Sequence, residues 1–159
     1  MKVLLFILLL IILYPYNSLG QVFQGKVVGI TDGDTFTLLV KDSIQVKVRL
    51  SNIDCPEKKQ PYSDKAKKFT SDAIFGKVIT IKKLKSDRYR RYIADVYYGD
   101  SLNLNRQLVK NGLAWNYIKY SKDTLLNSYE ENARRLKLGL WRDDNPIAPW
   151  KWRDKKIKE

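Results

Sequence analysis

The sequence predicts an α+β domain built on a small closed sheet, on three observations. Three segments rich in β-branched and aromatic residues come first, a stretch of helical period follows, and two further strand-like segments precede a helical C-terminal third. A helix between strands three and four of a five-stranded barrel is the order of an OB-fold. The expected architecture is therefore a five-stranded OB-fold β-barrel with about three α-helices, with no internal repeat and no long linker.

Residues 22–30 (Val-Phe-Gln-Gly-Lys-Val-Val-Gly-Ile) read as the first strand. Thr31-Asp32-Gly33-Asp34 is turn chemistry, and Thr35 to Val40 is the second strand. Ile44 to Leu50 alternates apolar and polar residues, which makes a half-buried third strand with Arg49 on the face of Gln45 and Lys47, opposite Val46, Val48 and Leu50. Asp54 to Pro61, with two prolines, is a loop. Over 62–76 a helix places Ala66, Phe69 and Ala73 on one face, and Gly76 ends it. Val78–Lys85 and Arg91–Tyr98 are strands four and five, followed by a turn at Gly99-Asp100. A short helix spans 103–111. A last one spans about 122–138, with Leu125, Tyr129, Ala133 and Leu136 as its apolar stripe and Gly139 as its stop. The Trp-rich tail, 141–159, carries Trp141, Trp150 and Trp152, of which the last two are expected to pin it onto the barrel.

Before all this stands Met1-Lys2 and an uncharged run from Val3 to Tyr14. That run is shorter than the roughly 20 residues of a spanning helix, Pro15 ends it, and Ser18-Leu19-Gly20 supplies small residues for cleavage. Residues 1–20 read as a signal peptide cut after Gly20, with an uncleaved anchor as the alternative. A secreted, periplasmic or cell-envelope location follows, with 21–159 as a single domain. Lys2 is the one ionisable side chain of the leader, so the domain keeps almost all of the net charge of +13. Such a domain collects on anionic polymers.

The chain has no histidine and one cysteine. This excludes Ser-His and Cys-His catalysis, zinc sites of the usual kind and internal disulfides. A metal here would be held by oxygen, which selects hard cations such as Ca²⁺ or Mg²⁺. The chain supplies suitable acids. Asp32 and Asp34 flank a glycine in a turn, and Asp54 follows the strand expected to pair with the one after that turn, so Asp34 and Asp54 can reach one ion. Glu57, three residues on, can take a proton from an attacking water. Arg49 and one of Arg88, Arg90 and Arg91 can donate paired hydrogen bonds to phosphate oxygens. Phosphodiester hydrolysis needs these parts together. Lys82, Lys83, Lys85 and Arg88 suit a groove that follows a nucleic-acid backbone.

Asp32-Gly33-Asp34-Thr35, then Arg49-Leu50 with Asp54-Cys55-Pro56-Glu57, then Asp87-Arg88-Tyr89-Arg90-Arg91 form an ordered set. In it the chain resembles the thermonuclease family of staphylococcal-nuclease-like secreted enzymes, from about Gly25 to Trp141. The resemblance implies an OB-fold and Ca²⁺-dependent hydrolysis of DNA and RNA with little sequence specificity, giving 3′-phosphate and 5′-hydroxyl ends. It implies Asp34 and Asp54 as side-chain metal ligands, Cys55 as a ligand through its backbone carbonyl, and Asp32 acting mainly through water. It implies Arg49 and Arg91 on the scissile phosphate, Glu57 as general base, and Arg88 and Tyr89 on a terminal phosphate. Tyr120 falls where the family stacks a base, whereas Ile118 stands where a second tyrosine would be, with Trp115 or Tyr117 as substitutes. Cys55 replaces a threonine; its thiol is either an inert loop residue or a site of oxidation.

DNA and RNA are the expected partners of a monomer, with no protein partner and no stable membrane association unless the leader persists. Two other classes compete. One is a catalytically silent OB-fold module for single-stranded nucleic acid, which has no use for acids beside a polyanion. The other is a cationic surface-active protein, which explains the charge but not the motifs.

Overall fold

In the computed structural model, which describes residues 21–121 and 123–156, strands β1 (Gln21–Ile30), β2 (Thr35–Val40) and β3 (Ile44–Leu50) form an antiparallel meander. The leader lies outside the described residues. A two-residue strand, β4 (Ile53–Asp54), follows β3, and helix α1 (Ser63–Ile74) leads to β5 (Val78–Ser86) and β6 (Tyr92–Tyr98). β5 pairs antiparallel with β1 and β6, and β6 pairs parallel with β3 through Val48↔Tyr92, Arg49↔Ile93 and Leu50↔Ala94. That last ladder closes the five-stranded barrel of the OB type. β7 (Leu102–Asn103) extends β6.

The alternation read in the strands is the alternation of burial. Val27, Phe36, Leu38, Val48, Leu50, Ile79, Ile81, Ala94 and Val96 fill the barrel. α1 covers it with Ala66, Thr70 and Ile74, and α2 (Leu104–Lys110) with Leu104, Leu108 and Val109. Among the described residues, no helix is long and apolar enough to cross a membrane.

Three devices place the loops that matter later. Asn105, buried on α2, donates to the Ser51 and Ala94 carbonyls at 3.0 and 3.2 Å and accepts from Val96 N, which fixes the bend after β3. β4 then pairs with β8 (Trp115–Asn116), opposing Asp54 to Trp115. Gly33 packs so closely on α1 that a Cβ there would lie 2.8 Å from that of Ala66 and 2.9 Å from Cys55 Sγ, while its carbonyl accepts from Thr70 Oγ1. The glycine between Asp32 and Asp34 is needed for close approach.

The C-terminal third departs from expectation. Helix α3 spans Thr124–Arg135, and its buried residues are Leu126, Glu130 and Ala133; Leu125 and Leu136, expected in the apolar stripe, are exposed. The physical reason is Glu130, whose buried carboxylate accepts from Asn116 N at 2.6 Å and from the Arg134 guanidinium at 2.6 and 2.9 Å. A satisfied charge on the inner face rotates the helix away from the simple apolar reading. Arg134 in turn lies 3.6 Å over the ring of Trp141. After a 3₁₀ turn (Gly139–Arg142), the tail forms a fourth helix, α4 (Pro149–Lys156), with proline at its first position, where a missing N–H costs nothing.

Candidate active site

Asp34 and Asp54 are both almost fully buried, and one guanidinium joins them. Arg49 donates from Nη1 to Asp34 Oδ1 at 2.5 Å and from Nη2 to Asp54 Oδ1 at 2.6 Å. Strand register produces this: Thr35 opposes Arg49, Leu50 N donates to the Asp34 carbonyl, and the bend at Ser51 returns Asp54 to the same place. The second oxygen of Asp34 accepts from Cys55 N at 2.9 Å, and Thr35 Oγ1 donates to the first. Asp32 turns its Oδ1 onto Asp34 N at 3.0 Å.

This concentration of charge has electrostatic consequences. Burial, with the Asp34 charge next, raises the Asp32 carboxyl to about 6. Burial also raises Asp54, against the opposing pull of Arg153 and Arg49. For Arg49, burial works against the charged form, but the charges of Asp34 and Asp54 overcome it and raise its pKa. The Cys55 thiol is enclosed, and burial pushes it well above the usual thiol range.

Arg91 stands just before β6 rather than within it. Asp87 aims it: the carboxylate accepts from Arg91 Nε at 2.8 Å and from the backbone N–H groups of Tyr89 and Arg91, both at 2.9 Å. Burial pushes the Asp87 carboxyl up, but these bonds and the Arg91 charge bring the net result below the usual range. Arg88 and Arg90 point to other work; Arg88 donates to the hydroxyl of exposed Tyr89, and Arg90 takes a left-handed conformation (φ 62°) that closes the turn.

One open cavity gathers Asp32, Asp34, Arg49, Glu57, Arg91 and Arg153, with Tyr89, Tyr117 and Tyr120 also lining it. Tyr120 is exposed, set edge-on to Tyr117 at 4.8 Å, with Lys85 6.0 Å from its ring centre. Trp115 is committed elsewhere: Trp141 and Trp150 pack on its ring at 4.4 and 5.6 Å, and Arg134 lies over it at 4.8 Å. It is therefore unsuited to stack a base. Tyr117 is stacked face to face on Trp150 at 4.9 Å, and Ile118 is exposed.

Among the described residues, no three Asp, Glu, Cys or His side chains converge tightly enough to hold an ion unaided. The acids that converge here, Asp34 and Asp54, offer only oxygen donors, a chemistry that fits a hard divalent cation.

A closed five-stranded barrel in which Asp32, Asp34 and Glu57 share a cavity with the guanidiniums of Arg49, Arg88, Arg91 and Arg153 defines a class of small OB-fold proteins suited to anionic substrates. Residues 47–143 match the family described as Staphylococcal nuclease homologue. The chain is 43% identical over 152 residues to an uncharacterized endonuclease of Haemophilus influenzae, covering 96% of this chain and 85% of that one. It is 38% identical to an uncharacterized endonuclease of Escherichia coli O157:H7, covering 95% and 98% of the two chains. It is also 38% identical to a micrococcal nuclease of Shigella flexneri, over 82% of this chain and 80% of the relative. The chain belongs to the staphylococcal nuclease homologue family, which places it among the nucleases.

Two residues of the site have roles that the sequence did not reveal. Asp87 was within the Asp-x-Tyr-x-Arg spacing, but only the structure shows that it orients Arg91. Arg153 carried no local signal, being one of 30 lysines and arginines and 96 residues from Glu57.

Proposed function

We propose that this protein is a secreted nuclease that requires Ca²⁺ and hydrolyses phosphodiester bonds of DNA and RNA with little sequence specificity, leaving 3′-phosphate and 5′-hydroxyl ends. The observation that carries the reading is the pair of buried carboxylates, Asp34 and Asp54, joined by Arg49, which with Asp34 lines a cavity shared with Glu57 and Arg91. Buried like charges are costly, and a chain retains them where they have work to do.

In this mechanism Asp34, Asp54 and the Cys55 carbonyl would hold the ion, with Asp32 contributing through water, and bound Ca²⁺ would supply fixed positive charge against the charge of the phosphate. Arg49 and Arg91 place their planar donors on the phosphate oxygens, where charge accumulates as the bond to the incoming water oxygen forms and the bond from phosphorus to the 5′ oxygen breaks. Glu57 accepts the proton of the attacking water, and the departing 5′ oxygen takes a proton from solvent to leave as the 5′-hydroxyl. Arg88 and Tyr89 bind a terminal phosphate, and Tyr120 offers a stacking face. The protein acts as a monomer, exported through residues 1–20; N-terminal sequencing of the exported protein should begin at Gln21.

The test is incubation of the purified protein with plasmid DNA and with RNA, in Ca²⁺ and in chelator, followed by end-group analysis. Degradation in Ca²⁺ alone, with phosphate on the 3′ end, is the expected result. Tight binding without cleavage would instead identify the silent OB-fold module, and cleavage that persists in chelator would reject the metal's role.

A further inference from the structure

Glu57 sits on a loop, its side chain 37% exposed, and among the described residues Arg153 is the hydrogen-bond donor to its carboxylate. The contact runs from Arg153 Nη1 to Glu57 Oε1 at 2.5 Å. The other arm of the same guanidinium, Nη2, donates to Asp54 Oδ2 at 2.9 Å. One planar fork thus spans both carboxylates, which an ammonium could not do with the same geometry.

The helix that carries Arg153 is itself fixed to the site. Trp150 lies flat on Tyr117, with 5° between the rings, and meets the edge of Trp115. Gln60, buried under the tail, donates to the Ile147 carbonyl at 2.6 Å and accepts from Glu57 N at 2.9 Å. The tail therefore holds Glu57 at its backbone through Gln60 and at its carboxylate through Arg153. A free glutamate on a loop samples many rotamers, and ordering it costs side-chain entropy. A base held in one orientation enters the reaction with that cost already met.

We infer that Arg153 is a positioning residue for the reaction: it holds the Glu57 carboxylate in one orientation beside Asp54, and α4 thereby completes the active site. The inference rests on the nuclease reading above and on Glu57 as its base. Arg153 acts through Glu57, so its removal lowers turnover rather than substrate binding. Removing it also frees Asp54 from a competing cation.

The test uses the full chain and its Arg153→Gln, Arg153→Lys, Glu57→Gln and Arg153→Gln/Glu57→Gln variants. Cleavage of a single-stranded oligonucleotide is followed in Ca²⁺ across substrate concentrations, Ca²⁺ affinity is measured by calorimetry without substrate, and thermal unfolding is recorded. Arg153→Gln is expected to lower kcat by about 10–100-fold with KM changed less than about threefold, in line with the cost of misplacing a reacting group. Arg153→Lys is expected to recover part of the loss. In the Glu57→Gln background Arg153→Gln is expected to cost less than about twofold, the non-additivity of residues acting as a unit. Ca²⁺ binding by Arg153→Gln is expected to be as tight as in the wild type or tighter.

A raised KM with kcat kept, or an equal cost in both backgrounds, would show Arg153 working on the substrate and overturn the inference. Weakened Ca²⁺ binding together with a lowered melting temperature would reduce it to a structural clamp. An active wild type matched by Arg153→Gln would sink this role alone, whereas an inactive wild type would sink the nuclease reading as well.

Discussion

The acid loops between Asp32 and Glu57 and the tail from Trp141 to Asp154 line the same cavity, yet different forces put them there. In the loops, strand register sets Thr35 against Arg49 and one guanidinium joins two buried carboxylates. In the tail, stacked aromatics and a buried amide bring Arg153 to Glu57 across 96 residues. The first region places charge by covalent proximity and hydrogen-bond ladders. The second places it by packing. An active site can therefore be half specified by a local motif and half by a distant segment whose own residues look like filler.

Arg49→Ala breaks the first region most severely, because Asp34 and Asp54 are then left buried without their shared cation. Urea unfolding in chelator should show a loss of about 3–5 kcal/mol, with part of it regained on adding Ca²⁺, which offers the same carboxylates another counter-charge. Trp150→Ala attacks the second region by removing the stack that seats α4. A loss of about 3 kcal/mol is expected, the low end of the cost of a tryptophan because the residue is only partly buried. Its unfolding curve should respond little to Ca²⁺, and that contrast with Arg49→Ala would separate electrostatic from packing control.

Gly33→Ala probes how tightly the acid loop is pressed on α1. A Cβ there falls within 2.9 Å of both Ala66 and Cys55, so thermal unfolding should report a loss of roughly 1–3 kcal/mol. The smallest effect is expected at Asp87→Asn. Asp87 ionises more readily in the folded protein than in the unfolded chain, so its contribution is present above the unfolded carboxylate pKa of about 4 and fades as pH falls through the lower folded value. Melting temperatures of wild type and Asp87→Asn should differ by a few degrees at pH 7 and converge at the acid pH where the Asp87 carboxyl is protonated in both states. A gap that stays constant down to that pH would mean that the Asp87 charge plays no part.

The barrel was readable because period-two alternation in Ile44–Leu50 directly encodes which face is buried, and β-branched and aromatic residues mark the strands before it. The two-residue strands β4 and β8 were not, since Ile53-Asp54 and Trp115-Asn116 are too short to carry a period; their pairing follows from the bend that Asn105 holds. In α3, Glu130 on the inner face disguised the true apolar phase, leaving Leu125 and Leu136 exposed against expectation. Pro149 was a usable signal for the start of α4, but the tail offers too short an apolar pattern to show a helix by its period. At the site, the spacing of Asp34, Arg49, Asp54, Glu57 and Arg91 was enough to name them as candidates. What spacing could not convey was partnership over distance: that Asp87 aims Arg91, that Trp115 is packed away from any base, and that Arg153 reaches Glu57.

On the proposed reading the acids and arginines gathered at the cavity hydrolyse phosphodiester bonds, with Glu57 as base. Single-turnover cleavage of an end-labelled oligonucleotide by wild type and Glu57→Gln, each in Ca²⁺ and in chelator, measures this most directly. Cleavage by the wild type in Ca²⁺, none in chelator, and a fall of about 10²–10⁴-fold in Glu57→Gln is the predicted outcome. Equal rates with and without Ca²⁺, or a Glu57→Gln variant as fast as the wild type, would contradict it.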